Sequence, residues 1–332
     1  MRILLCTIDL HGYDDAYFKA VSSLGFQVDL YTGLRRYNLA TRARRVAAVK
    51  VPNMFGARRD RNYAERQIFR RWVLDQDLRG NLVLFVNGHQ LATSDLLEEI
   101  KRAGAKTALW LLDEVNTLPT QDLDFGHFDF LASFHPGDAK SLQRSTGQCL
   151  FVPQGFDDSL DGRIGRAGHL TSLLFIASPG ERRQSVVREL TRANVPLELV
   201  GQYWPQVMSD SESVKIAPRD VDRLEAHYMY TNSRPCLNIH NTPNSGVNPR
   251  TFEVAGAGGL LISDNIAVEE FFDAESEALT WTEAGQVADY AERIGTDHEW
   301  VRRIAEAGMR RARSDHSLRS RFAGMFDEWG IS

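Results

Sequence analysis

The chain is short of what a disulfide-stapled or zinc-knuckle domain needs, because its 332 residues hold three cysteines, Cys6, Cys149 and Cys236, scattered among apolar, strand-like runs. An odd and dispersed set builds neither framework, and a reducing cytoplasmic setting is expected. No stretch reaches the roughly 18 consecutive apolar residues of a membrane span. The first apolar run, Ile3 to Ile8, is shorter than a signal-peptide core and lacks a small-residue cleavage site, so neither export nor membrane insertion is expected. Excess positive charge is missing as well. Thirty-nine Lys and Arg against 44 Asp and Glu give a formal net charge of −5, which leaves no global field for a polyphosphate backbone, and nucleic acid is excluded as a main partner. With 25 Gly and 11 Pro there is no low-complexity bias, and 43% hydrophobic with 25% charged residues is an ordinary folded composition.

What is present is a repeated alternation of short apolar runs with amphipathic stretches. Met1 to Ile8, a helical pattern from Tyr13 to Leu24, and Phe26 to Tyr31 read as a βαβ unit. Further strands are expected at Leu82 to Val86, Thr107 to Leu112, Phe128 to Ser133 and Cys149 to Val152, with helices at Ser94 to Ala103 and Gly137 to Ser145. A polar stretch without apolar periodicity, Asp158 to His169, reads as a linker. A second series follows, with strands at Ser172 to Ala177, Leu197 to Val200, Cys236 to Ile239 and Gly259 to Ser263, and helices near Glu181 to Ala193, Asp220 to Thr231 and Pro249 to Ala257. The expected fold class is α/β, two Rossmann-like doubly wound parallel-sheet domains facing a central cleft. The expected boundaries are 1–157, a linker at 158–169, 170–315, and a C-terminal helix in 316–332 crossing back to the first domain. Between Arg35 and Arg71 the chain is locally basic, which reads either as a solvated insertion or as a surface for an anionic acceptor, lipid head group or protein partner.

The most informative segment runs from Asn241 to Asp264. Pro249 suits a first helical turn and Asn248 the cap before it. The free amides at such a helix start favour an anion, and Gly246 lets the backbone approach it. Arg250 adds a cation on that side, and Glu253, one turn in, suits two short hydrogen bonds from a ribose diol. The glycines of Ala255-Gly-Ala-Gly-Gly259 precede a strand, whereas a dinucleotide fingerprint follows one, so they read as helix-strand packing.

The string Asn248-Pro-Arg-Thr-Phe-Glu253, with Gly258-Gly259, Asp264 and the late His316-Ser-Leu-Arg-Ser-Arg-Phe322, resembles the spore-maturation (CgeB-type) branch of GT-B glycosyltransferases. The resemblance is strongest over Leu170 to Phe326; Trp110-Leu-Leu-Asp-Glu114 and Val152-Pro-Gln-Gly-Phe-Asp157 are compatible with it. It implies a nucleotide-sugar donor held mainly by the C-terminal domain and a small-molecule, glycan or protein hydroxyl acceptor facing the N-terminal one. No cofactor is implied, the nucleotide-diphosphate sugar being a co-substrate. Within that reading Ser178, Arg182 and Arg183 neutralise the donor diphosphate, the role a metal plays in other glycosyltransferases, so no bound metal is expected. In many retaining members two glutamates stand at fixed spacing; Glu253 occupies the second position and Ser245 the first, where backbone amides of Ser245, Gly246 and Val247 would substitute.

Candidates for a general base are Asp9, His11, His89, Asp113, Glu114 and His135, all expected beyond strand ends, with Asp113 and His11 favoured. Tyr203 and Trp204 either stack on a ring of the ligand or cap the sheet, and Lys215-Ile-Ala-Pro-Arg219 falls where proteins of this kind close over the nucleobase. A metal-free hexosyltransferase-type enzyme is the leading reading. A nucleotide-sugar epimerase of the same fold, and a non-catalytic nucleotide- or carbohydrate-binding protein, are the alternatives.

Overall fold

Strands form where the sequence offers apolar runs buried on both faces. Leu82–Val86 is buried at every position, as a central parallel strand covered by helices must be. The computed structural model describes residues 1–7, 12–31, 54, 62–118, 123–165, 172–240 and 246–332. These divide into two compact units, Met1–Val152 with Ala323–Ser332 (unit 1) and Pro153–Phe322 (unit 2).

Unit 1 holds β1 (Arg2–Thr7), β2 (Gln27–Tyr31), β3 (Leu82–Val86), β4 (Lys106–Leu111), β5 (Phe130–Ser133) and β6 (Leu150–Phe151). Its order, β2-β1-β3-β4-β5-β6, is parallel throughout. The helices are α1 (Asp14–Ser22), α2 (Tyr63–Leu74), α3 (Ser94–Arg102) and α4 (Pro136–Thr146). The strand order reverses between β1 and β3, the topological switch point of this sheet.

Unit 2 holds β7 (Leu173–Ile176), β8 (Leu197–Val200), β9 (Val214–Ala217), β10 (Pro235–Asn238), β11 (Leu260–Ser263) and β12 (Leu279–Thr280). The order is β12-β11-β10-β7-β8-β9, again parallel, with its switch point between β7 and β10. Its helices are α5 (Glu181–Arg192), α6 (Arg223–Tyr230), α7 (Arg250–Ala257), α8 (Ala284–Thr296) and α9 (His298–Asp315). Along β7, Leu173 and Phe175 enter one core cluster and Leu174 the other, so both faces are covered. A last helix, α10 (Leu318–Glu328), begins among the residues of unit 2 and ends among those of unit 1. Two Rossmann-like parallel-sheet domains are therefore present, as expected.

Asp157 and residues 158–163, the latter part of the stretch read as a linker, are bonded within unit 2. Asp157 accepts from Arg223 at 2.6 Å, Leu160 O from Arg313 at 2.6 Å, and Arg163 N–H donates to Ala257 O at 3.0 Å. Phe156 lies flat against α7 at Gly256, where an added Cβ would stand 2.5 Å from the ring. Gly256→Ala is expected to destabilise the protein by about 1 to 3 kcal/mol through overpacking, read as a lowered denaturant midpoint at unchanged slope.

Candidate functional site

At the switch point of unit 2 the carboxyl ends of β7, β10 and β11 meet the first turns of α5 and α7. Polar side chains gather there at the ends of largely apolar strands. Beyond β10, His240 is 4% exposed; beyond β11, Asp264 is 8% exposed. The Asp264 carboxylate accepts from His240 N–H at 3.0 and 3.2 Å, faces His240 Nδ1 at 2.9 Å, and pairs with Arg182 from α5. Burial alone would raise its pKa, but hydrogen bonds from the His240 ring and backbone and from Arg182 hold it below the ordinary aspartate value. On its other side the His240 ring meets the backbone N–H of Asn248, 3.3 Å from Nε2.

Asn248 was expected to cap α7. Instead its Nδ2 donates to Asn238 Oδ1 at 2.8 Å, and its buried Oδ1 has no partner among the described residues. The cap position falls to Pro249, and backbone bonds from Thr251 and Phe252 to Asn248 and Pro249 close the first turn. Asn238 is fully buried and donates to Thr251 Oγ1 at 3.1 Å. Arg250 reaches the same Asn238 Oδ1, at 3.4 Å.

Arg182 and Arg183 take different roles. Arg182 keeps part of its guanidinium in solvent while bonding His240 O at 2.7 Å and Asp264. Arg183 is buried, donates to Ile239 O at 3.0 Å and Ser178 O at 3.2 Å, and lies over the Phe175 ring. Burial, then repulsion from Arg250, lowers its pKa to about 10, with Arg182 adding to the effect against the pull of Asp264. Three guanidiniums thus lie near one another with Arg182 alone paired to Asp264, a concentration of positive charge at an edge that also carries α7's amino end. Gly246 and exposed Ser178 lie at this edge too; Ser245 lies outside the described residues.

Glu253 projects from α7 into a small cavity with Asp157, Arg223, His227 and Tyr230 among its walls. No hydrogen bond reaches its carboxylate from the described residues, and burial pushes its pKa up to about 7. A neighbouring group that sequence reasoning missed, His227, is buried with Nε2 2.9 Å from Asp161 O, and burial lowers its pKa.

In unit 1, Asp113 is exposed just beyond β4 and accepts from Asn87 Nδ2 at 2.7 Å. Asn87 adopts a left-handed φ of 50°, which asparagine tolerates, and ties its N–H to Trp110 O at 2.8 Å. His89, on the same strand-end turn, is buried, and its Nδ1 has no partner among the described residues. Burial lowers its pKa against the pull of Asp113, so it stands neutral at pH 7. His135 caps α4 by accepting from Asp138 N–H at 3.2 Å, a structural task. Asp9 and His11 lie outside the described residues, as does most of the basic segment 35–71; within α2, Arg70 is paired to Asp95 and Glu99. Trp204 caps the sheet by donating to Ala177 O at 2.7 Å, while Tyr203 is exposed. Of Lys215 to Arg219, expected to close over a nucleobase, the first three residues belong to edge strand β9 (Val214–Ala217). Among the described residues no helix is long and apolar enough to cross a membrane.

This architecture, two parallel six-stranded domains of these orders, is the GT-B fold. Residues 182–327 match the family model described as glycosyl transferase-like. Among solved structures the chain is similar to sucrose-phosphate synthase from Thermosynechococcus elongatus, at 13% identity over 99% of each chain and a TM-score of 0.64. It is similar to Anabaena HepE, solved with UDP and glucose, at 10% identity over 99% of this chain and 100% of that one, TM-score 0.62. T4 phage β-glucosyltransferase, solved with its UDP-glucose substrate, matches at 12% identity over 99% and 98%, TM-score 0.57. No curated protein is significantly similar to the chain in sequence.

Proposed function

We propose that this protein is a glycosyltransferase that moves a sugar, of hexosyl type, from a nucleotide-diphosphate donor to a hydroxyl acceptor, as the resemblance to the spore-maturation branch implies. The observation that carries this reading is the excess positive charge of Arg182, Arg183 and Arg250, of which only Arg182 is paired to Asp264, beside the amino end of α7. Such an excess is costly in an empty protein and favourable once a dianion binds.

In this reading Arg182, Arg250 and the amides of the Gly246–Val247 turn take the diphosphate, and Glu253 accepts the ribose diol. When the bond between the sugar's anomeric carbon and the phosphate oxygen breaks, the electron pair stays on the diphosphate, and the guanidiniums stabilise the charge that grows there. They supply the neutralisation that a divalent cation supplies elsewhere. The acceptor oxygen forms the new bond to the anomeric carbon and gives its proton to Asp113, oriented by Asn87. Asp113→Asn is expected to leave nucleotide affinity unchanged and to lower the transfer rate about 100-fold or more, checked by single-turnover kinetics.

A thermal-shift screen of nucleoside diphosphates and nucleotide sugars tests the reading, with UDP and UDP-glucose first because two similar structures hold them. A true donor at 100 times its dissociation constant stabilises by about 2.7 kcal/mol. Transfer activity then separates this reading from an epimerase, which turns over without acceptor, and from a binding protein, which does not turn over.

A further inference from the structure

We infer that His240 is a positioning residue for the donor's diphosphate, an inference that rests on the reading of unit 2 as the donor site. The ring is 4% exposed and acts through its two neighbours. A backbone N–H can only donate, so the 3.3 Å contact from Asn248 N–H makes Nε2 the unprotonated nitrogen. The proton then sits on Nδ1, which donates to Asp264 Oδ1 at 2.9 Å. The geometry thus selects one neutral tautomer, in a chain that runs Arg182, Asp264, His240, Asn248 from the first turn of α5 to the start of α7.

One end of that chain, Arg182, is assigned to the phosphates, and the other, Asn248, directly follows the Gly246–Val247 turn whose amides are assigned to them. Asn238 holds the same turn from the other side, through Asn248 Nδ2 at 2.8 Å and Thr251 Oγ1 at 3.1 Å. What His240 alone contributes is the acceptor that fixes the Asn248 amide. Without the ring Asp264 would still retain His240 N–H and Arg182. His240 therefore matters through Nε2 more than through Nδ1.

Two substitutions separate the nitrogens. Glutamine can place its amide oxygen where Nε2 stands and keep the bond to Asn248; asparagine can place its amide nitrogen where Nδ1 stands and keep only the bond to Asp264. In the full-length protein, titrated calorimetrically with uridine, adenosine, guanosine and thymidine diphosphates, His240→Gln is expected to bind within about threefold of wild type and His240→Asn about tenfold or more weakly. Equal weakening by both, or wild-type affinity in His240→Asn, would overturn the inference. Nitrogen-15 spectroscopy of the wild-type imidazole is independent of how the variants fold: an unprotonated Nε2 at neutral pH is expected, and a protonated one would sink the proposal. If wild-type protein binds none of the diphosphates, the reading of unit 2 as donor site fails and this inference falls with it. Binding by wild type with the wrong order of variants removes the positioning role alone.

Discussion

Glu253→Gln is expected to yield a protein that is more stable than wild type and poorer at binding nucleotide. The carboxyl titrates near 7 in the folded chain and near 4.3 in the unfolded one, so the native state holds the proton more tightly between those values. For an acid raised in this way, ionisation removes stability as pH climbs through that window, and the full cost is present above about 7. Because the side chain is only partly buried, the expected gain from glutamine at pH 8 is about 1 to 3 kcal/mol, vanishing toward pH 4 where both forms are neutral. Donor affinity should fall by about 2 to 4 kcal/mol, since a neutral amide accepts from a diol less strongly than a carboxylate. Wild-type affinity for a nucleotide sugar should weaken as pH drops below about 7, and the glutamine variant should lose that dependence. Denaturant melts at pH 8 and 5, with calorimetric titration at the same values, check both halves. A destabilised variant with normal binding would make Glu253 a packing residue.

The second large effect separates two arginines that look alike in sequence. Among the described residues Arg250 makes one hydrogen bond, a long one to Asn238 Oδ1 at 3.4 Å, and it repels Arg183. Arg250→Ala should therefore leave stability within about 1 kcal/mol while lowering nucleoside-diphosphate affinity about 10- to 100-fold. Arg183 is a buried strut between Ile239 O and Ser178 O. Arg183→Ala should cost about 2 to 4 kcal/mol of stability, because two carbonyls lose a charged donor and the Phe175 face loses its cover. Melting curves and titrations on the two variants give the comparison.

Apolar runs such as Leu82–Val86 and Leu197–Val200 announce themselves because both faces of a central parallel strand are buried. The edge strands β9 and β12 do not, since Val-Lys-Ile-Ala is half polar and Leu-Thr is too short to carry a period. The placement of Arg250 and Glu253 in the first turn of α7 was readable from Pro249. His240, Asp264 and Asn238 were not assigned roles, because their meeting depends on the register in which Asn238 pairs with Ser263. A signal was nevertheless available: polar residues directly following two strands predicted to be buried, at His240 and Asp264, are costly unless they are joined. The mistaken cap at Asn248 has the same origin, since an asparagine before a helix satisfies the capping pattern even when its side chain is drawn to a strand end.

The most direct measurement is a crystal structure of the protein with a nucleotide sugar that stabilises it. The account requires the diphosphate against Arg182, Arg250 and the amides of residues 246 and 247, with the ribose hydroxyls on the Glu253 carboxylate. A nucleotide bound elsewhere, or one whose ribose leaves Glu253 without a partner, would contradict it.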